Sequence, residues 1–325
     1  MPSSFEAHNP RAEAQGLVGP EFEAVVLEPS PPAITDENFA DDPAATAGAR
    51  PVVAPDGRGD HTWSDWLSSR AEHVDWVADR WLGGNRSLGE VPAALPATRI
   101  DLHRLAAYVI APARHSVNGK FGLRYTRGGF GTPFFGADRQ IRVHGDQLID
   151  QVGSTVRNTS ITSLGAAAEF LGTEIDPSTA AESDSPALGD IDAPLTVSVE
   201  GSDFLGRWYG MAFAALEAVR ADDASVDPSR PQLWPGHFDP AIEVGDEDHR
   251  GSYGASPGDQ SIDEPYLYVS AWWPDRLDLD TSDPMWNAPS FTGAILPLSE
   301  FRTGEDPVQV AIEFFRSVRN ALTRS

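Results

Sequence analysis

Between residues 231 and 273 the chain reads PQLWPGHFDPAIEVGDEDHRGSYGASPGDQSIDEPYLYVSAWW. Short runs alternate apolar with polar side chains, and glycine- and proline-containing turns separate them. Alternation with period two puts successive side chains on opposite faces of a strand. Turns this short join neighbouring strands only in antiparallel order, because a parallel pair needs a long crossover. The stretch also holds three of the nine tryptophans and two of the eight histidines. Strands are expected at 232–242, 251–255 and 266–272, and another at 292–297.

Helical patterns bracket these strands. From 203 to 222, Leu205, Trp208, Tyr209, Ala212, Leu216 and Val219 recur at the spacing of one helix face. A last helix is expected from 307 to 322, with Asp306 as N-cap, Pro307 in the first turn and Val308, Ala311, Ile312, Phe315, Val318 and Leu322 as its buried stripe. The first half of the chain has the same order. A helix from 101 to 111 buries Leu102, Leu105, Ala106, Val109 and Ile110, and Pro112 ends it. Strands follow at 120–126, 132–135, 140–144, 147–152 and 156–161, with 127–132 as a turn-rich loop. A helix then starts at 162 or 163 and stops at Gly172. Residues 194–200 (PLTVSVE) alternate like a further strand.

The expected fold is therefore α+β, with two pseudo-repeated halves. Each half runs helix, antiparallel strands, helix, and the two pack around a shared core as one continuous sheet or two facing sheets. Residues 61–175 form the first half and 204–325 the second, with 176–203 an acidic linking loop. Residues 1–60 carry eleven acids against three arginines and bury too little apolar surface to order themselves, so they read as disordered or irregular. Within them, 22–27 reads as an edge strand. Trp63, Trp66, Leu67, Val74, Val77 and Trp81 share one stripe of a further helix that Gly83-Gly84 stops.

Charge narrows the partners. The formal net charge is −25, which repels phosphates and anionic membranes, so neither nucleic acid nor membrane is an expected partner. Lys120 is the only lysine, a usage explained by coding bias or by adaptation to high salt. The absence of cysteine removes disulfides, thiolate catalysis and thiolate metal sites. No basic-then-apolar leader stands at the N-terminus, and no run approaches the ~18 apolar residues of a membrane span. A cytoplasmic location is the expectation.

Leu233-Trp-Pro-Gly-His-Phe-Asp239, Ser256-Pro-Gly-Asp259 and Asp263-Glu-Pro-Tyr-Leu-Tyr-Val269 resemble, in kind and order, the motifs of an uncharacterised bacterial domain-of-unknown-function family. The likeness continues through Leu296-Pro-Leu298 into the last helix and upstream to Leu102-His103, covering roughly residues 100–322. That family carries no known activity, so the resemblance bears on architecture.

Three groups of residues are able to carry chemistry. His237 and Asp239 stand two apart, which on a strand puts imidazole and carboxylate on one face. Such a pair serves as an acid/base dyad, or, with His249 as a third ligand, holds a divalent metal. The plainer alternative has His237 bonded to a backbone carbonyl and Asp239 capping the turn before Pro240. Asp259 and Glu264 flank the Pro-Gly turn and together form an acidic pair, or else a solvated loop. Glycines 128, 129, 131 and 136, with Arg124, Arg127 and Arg139 beside them, form an anion cradle or a hairpin whose aromatics fold onto the sheet. No Gly-Lys-Ser/Thr follows, so this is not a P-loop. Lys120 points away from the inward Phe121 and Leu123, which removes it as a Schiff-base lysine.

The reading that follows is a soluble protein with a small polar or anionic organic ligand in a cleft between its halves. Arg124, Arg127, Arg139 and Tyr253 would contact the ligand, with His237, Asp239 and Glu264 as acid/base groups if the site is catalytic. Two other readings stand beside it: a metal-dependent enzyme with His237, Asp239 and His249 or Glu264 as ligands, and a non-catalytic interaction protein that recruits a basic partner through its acidic tail.

Overall fold

The computed structural model describes residues 88–324, apart from 121, 127, 133–134, 137–138, 153–154, 181–183, 221, 230, 280–281, 302–303 and 305. The tail, the 22–27 strand and the tryptophan-striped helix expected before residue 88 lie outside the described residues. Among these residues no helix is long and apolar enough to cross a membrane.

Pro96 opens the first helix in its first turn, where a missing N–H has no intrahelical partner to lose. Helix α1 (Leu95–Leu105), a π-helical stretch (Ala106–Ile110) and α2 (Ala111–Asn118) then follow without a break, to Gly119 in the left-handed region. The expectation that Pro112 ends this helix is thus overturned. A proline at 112 cannot donate to the carbonyl of Tyr108 and crowds it. Two local adjustments meet this. Ala111 N–H donates back to Ala106, the wider π spacing. The Tyr108 carbonyl instead accepts from the backbone N–H of Asp176, 3.2 Å away.

The strands form two five-stranded antiparallel sheets. Sheet one holds β1 (Arg124–Thr126), β2 (Gly129–Gly131), β3 (Arg139–His144), β4 (Gln147–Val152) and β5 (Thr155–Ser160), in that order. Sheet two holds β6 (Gln232–Trp234), β7 (Asp239–Val244), β8 (Gly251–Ser256), β9 (Tyr266–Ala271) and β10 (Gly293–Pro297). Between them, Leu123 and Leu233 exchange two backbone hydrogen bonds of 2.8 Å, which sets β1 beside β6. The sheets therefore lie edge to edge through one residue pair. The expectation offered a continuous or a face-to-face arrangement; the join is closest to the first.

Helices α3 (Leu164–Leu171), α4 (Val199–Arg220) and α5 (Pro307–Leu322) complete the element order, so helix, antiparallel strands, helix occurs twice. Ser163 caps α3 through its hydroxyl and Asp306 caps α5 through its carboxylate, each accepting from a first-turn N–H. Helix α4 packs on β1, β2 and β3 of sheet one, on β7 and β8 of sheet two, and on α1 and α5. Its predicted stripe, from Leu205 to Val219, is fully buried. Phe204, Met211 and Ala215 are buried too, as expected of a helix with neighbours on more than one side. Two arginines of α5 lock it to the end of α4: Arg316 grips Asp222 with a two-pronged fork (2.8 and 2.5 Å) and Arg319 adds a third bond.

Three strand assignments are corrected. The loop expected at 127–132 contains β2. Gly206 lets α4 come close to it, since a Cβ there would sit 2.6 Å from the Gly129 nitrogen. Of the strand expected at 132–135, residues 133–134 lie outside the described residues, Thr132 is not in a strand, and Phe135 makes an isolated bridge to Arg139. Residues 194–198 alternate without pairing to a strand. Alternate N–H groups go to helix α1, Thr196 to the Asp101 carboxylate (2.6 Å) and Ser198 to the Thr98 hydroxyl (3.1 Å), while Leu195 donates to the Thr162 carbonyl (2.8 Å). Thr98 and Asp101 stand one helical turn apart and serve as a polar rail, so period two arises without a sheet.

Candidate functional site

The expected strand at 232–242 is two strands, β6 and β7, joined by a turn at 235–238. Phe238 makes the turn possible and strained: its φ is +58°, unusual for a bulky residue and held only by its surroundings. Its N–H donates to the Trp234 carbonyl (2.7 Å) and its carbonyl accepts from the Tyr209 hydroxyl of α4 (2.9 Å). The buried Phe238 ring stacks on His103 of α1 at 5.1 Å, and meets Phe130 of β2 and Tyr209 edge-on at 5.0 and 5.5 Å. The turn is thereby wedged between the first sheet, α1 and α4, at the join of the two halves.

Two further bonds hold it. The Gly236 carbonyl accepts from His103 Nε2 and from the Ser185 hydroxyl, each at 3.2 Å. A carbonyl only accepts, so His103 carries its proton on Nε2. Burial holds its pKa down, to about 4, against an ordinary 6.5, and it is neutral at physiological pH.

Asp239 begins β7 on the far side of this turn and is 4 % exposed. Tyr268 of β9 lays its ring across Gly254 of β8, where a Cβ would lie 2.5 Å from the ring. Its hydroxyl reaches Asp239 Oδ2 at 2.6 Å. Asp239 Oδ1 is buried and has no hydrogen-bond partner among the described residues. Burial pushes the Asp239 carboxyl above the usual range; nearby His237 and the Tyr268 hydroxyl pull the other way, and Asp184 pushes with the burial. Burial, and next the charge of Asp239, also raise Tyr268 and Tyr209, which keeps both hydroxyls protonated as donors. Next along the same strand face, Tyr266 donates to Asp259. Beyond the Pro-Gly turn, Arg99 of α1 reaches across from the first half to the carbonyls of Pro257 and Asp263 and to the Asp263 carboxylate.

His237 and Asp239 are thus neighbours, but they do not share a strand face as expected. The left-handed Phe238 between them turns the histidine outward, where it is 58 % exposed and its Nδ1 lies 3.2 Å from Asp184 Oδ2. His103, and not His237, binds the backbone carbonyl at this turn. His249 follows the far end of β7, about 17 Å along the strand at ~3.3 Å per residue, and pairs with Asp246 at 2.8 Å. The three expected metal ligands therefore do not converge. Among the described residues no group of three or more histidine or acidic side chains is placed to hold a metal ion.

The remaining expected residues are dispersed. Glu264 caps the turn at Ser299, accepting from its N–H and its hydroxyl at 2.8 and 2.9 Å, while Asp259 binds Tyr266, so the two are not a paired acid site. Arg139 forks onto Asp150 and donates to the Leu171 carbonyl. Tyr253 is buried on the helix-facing side of β8, edge-on to Phe315 of α5 at 6.2 Å. Arg124 is buried opposite Gly131, and Arg127 lies outside the described residues. Tyr268, Tyr209 and His103 were not singled out in the sequence. For Tyr268 a signal exists: Tyr266 and Tyr268 share a face of one strand, and Gly254 leaves space on the next.

Set against protein-family models, curated proteins and solved structures, the chain matches none of them.

Proposed function

We propose that the protein binds a small polar molecule at the join of its two halves, and that Asp239 is the group that meets it. One observation carries this reading: a carboxyl oxygen, Asp239 Oδ1, is buried without a hydrogen-bond partner among the described residues while its twin holds Tyr268. Leaving such an atom unsatisfied costs about 1–3 kcal/mol, and native proteins keep few of them. A ligand N–H or O–H donor would satisfy it. Of the arginines expected to bind an anion, Arg139 is tied to Asp150, and Arg99 of α1, which reaches into this half, is tied to Asp263. Acidic Asp184 and Asp239 also favour a donor-bearing or cationic molecule over an anionic one. The pair is equipped for proton transfer as well, with a carboxyl raised by burial beside an imidazole open to solvent.

The test is a thermal-shift screen of amines, guanidinium compounds and polyols, with carboxylates and phosphates as the opposing class, on the wild type and Asp239→Asn. The reading expects a shift from the donor-bearing class in the wild type and its loss in Asp239→Asn, whose own melting temperature is equal or higher. A shift that survives in Asp239→Asn, or a variant that melts well below the wild type, would overturn it.

A further inference from the structure

Trp272 and Trp273 follow directly on β9 and are 39 % and 46 % exposed. Trp272 is held in place, and the Trp273 carbonyl accepts from the Arg276 N–H (2.9 Å). The Trp272 N–H donates to the Arg250 carbonyl (2.9 Å) and its indole N–H to the Ser252 hydroxyl (2.8 Å). Each ring already carries a guanidinium on one face, Arg250 at 5.4 Å from Trp272 and Arg276 at 4.9 Å from Trp273. Those arginines are in turn tied to carboxylates, Arg250 to Glu243 and Asp227, Arg276 to Asp248. Beside the rings, the β7–β8 turn presents Asp246, Glu247 and Asp248, with side chains 56 %, 91 % and 65 % exposed.

Fixed, half-open indoles lose little entropy on binding and attract cations through the ring quadrupole. The protein's own Trp–Arg–carboxylate stacks show that these rings accept guanidinium in this setting. Two such platforms with three exposed carboxylates exceed what one small cation satisfies; they match several cations on one chain. We propose that this corner is a docking surface for a basic peptide segment of another protein. Its arginine or lysine side chains stack on the open indole faces, and its remaining charge meets Asp246, Glu247 and Asp248. This inference stands apart from the Asp239 site.

Fluorescence anisotropy of labelled hexa-arginine, with hexa-glutamate and spermine as comparisons, tests it on the full chain. Hexa-arginine should bind with an affinity that falls as salt rises, and Trp273→Ala should weaken it about tenfold while Trp273→Phe retains most of it. The surface variant Glu247→Gln/Asp248→Asn, which touches no core residue, should weaken binding and flatten the salt dependence. Binding unchanged in both Trp273→Ala and the charge variant would assign the attraction to diffuse charge and overturn the proposal. So would absence of hexa-arginine binding, or spermine binding as tight and as dependent on Trp273, which would mark a small-amine site.

Discussion

Asp239 sits between two demands: its Oδ2 is needed by the Tyr268 hydroxyl, and its Oδ1 is buried without a hydrogen-bond partner among the described residues. Its folded-state pKa is raised, so the folded protein favours the protonated acid. The stability this contributes is full below the unfolded value of 3.8 and is lost as pH rises from there through the folded value. Asp239→Asn removes that loss, and its melting temperature should gain on the wild type as pH climbs from 4 toward neutrality, by about 1–3 kcal/mol in stability. Paired melting curves across pH check this. Tyr268→Phe strips Oδ2 of its donor as well and should cost about 1–3 kcal/mol, read by urea denaturation. His103 has the opposite sign. Its folded value of about 4 lies below the ordinary 6.5, so its stabilisation is complete above 6.5 and falls away as pH drops from there toward 4. The loss is on the order of 3 kcal/mol, and His103→Gln should flatten stability across that window.

The elements show which physical signals a chain carries openly. Helix α5 begins and ends where Asp306-Pro307 and the apolar stripe put it, and β4 matches its expected span, because capping and alternation are local. Residues 232–242 read as one strand because the turn at 235–238 has no glycine where the backbone goes left-handed. It has Phe238, stabilised by His103, Phe130 and Tyr209 from distant parts of the chain. That one residue also separated His237 from Asp239, so the candidate pair was legible and its geometry was not. Pro112 failed to stop a helix for a similar reason, since Asp176 supplies the Tyr108 carbonyl with a hydrogen bond from a distant part of the chain. Gly254 likewise reads as a weak point in a strand and works as clearance for Tyr268. Gly254→Ala should push the tyrosine off Asp239 and reproduce the Tyr268→Phe loss without touching either partner. A double variant no worse than either single one would confirm the shared cause.

At the scale of the whole molecule, α4 makes one body of two sheets. It lies over strands of both, and among the described residues Leu123 and Leu233 join the sheets by their backbone hydrogen bonds. The halves should therefore unfold together, with far-ultraviolet circular dichroism and tryptophan fluorescence giving coincident transitions. Leu216→Ala, at a fully buried position of α4, should lower that single transition by about 2–5 kcal/mol without splitting it. The turn that carries Asp239 is clamped from both halves, by His103 of the first and by Tyr209 and Trp234 of the second, so a molecule held there bears on the entire fold. The most direct measurement is the titration of the Asp239 side-chain carbonyl carbon by 13C NMR, read with and without a molecule from the donor-bearing class that shifts the melting temperature. The account predicts a midpoint above 3.8 in the free protein that falls when the donor binds. A midpoint at or below 3.8, unmoved by the donor, would contradict it.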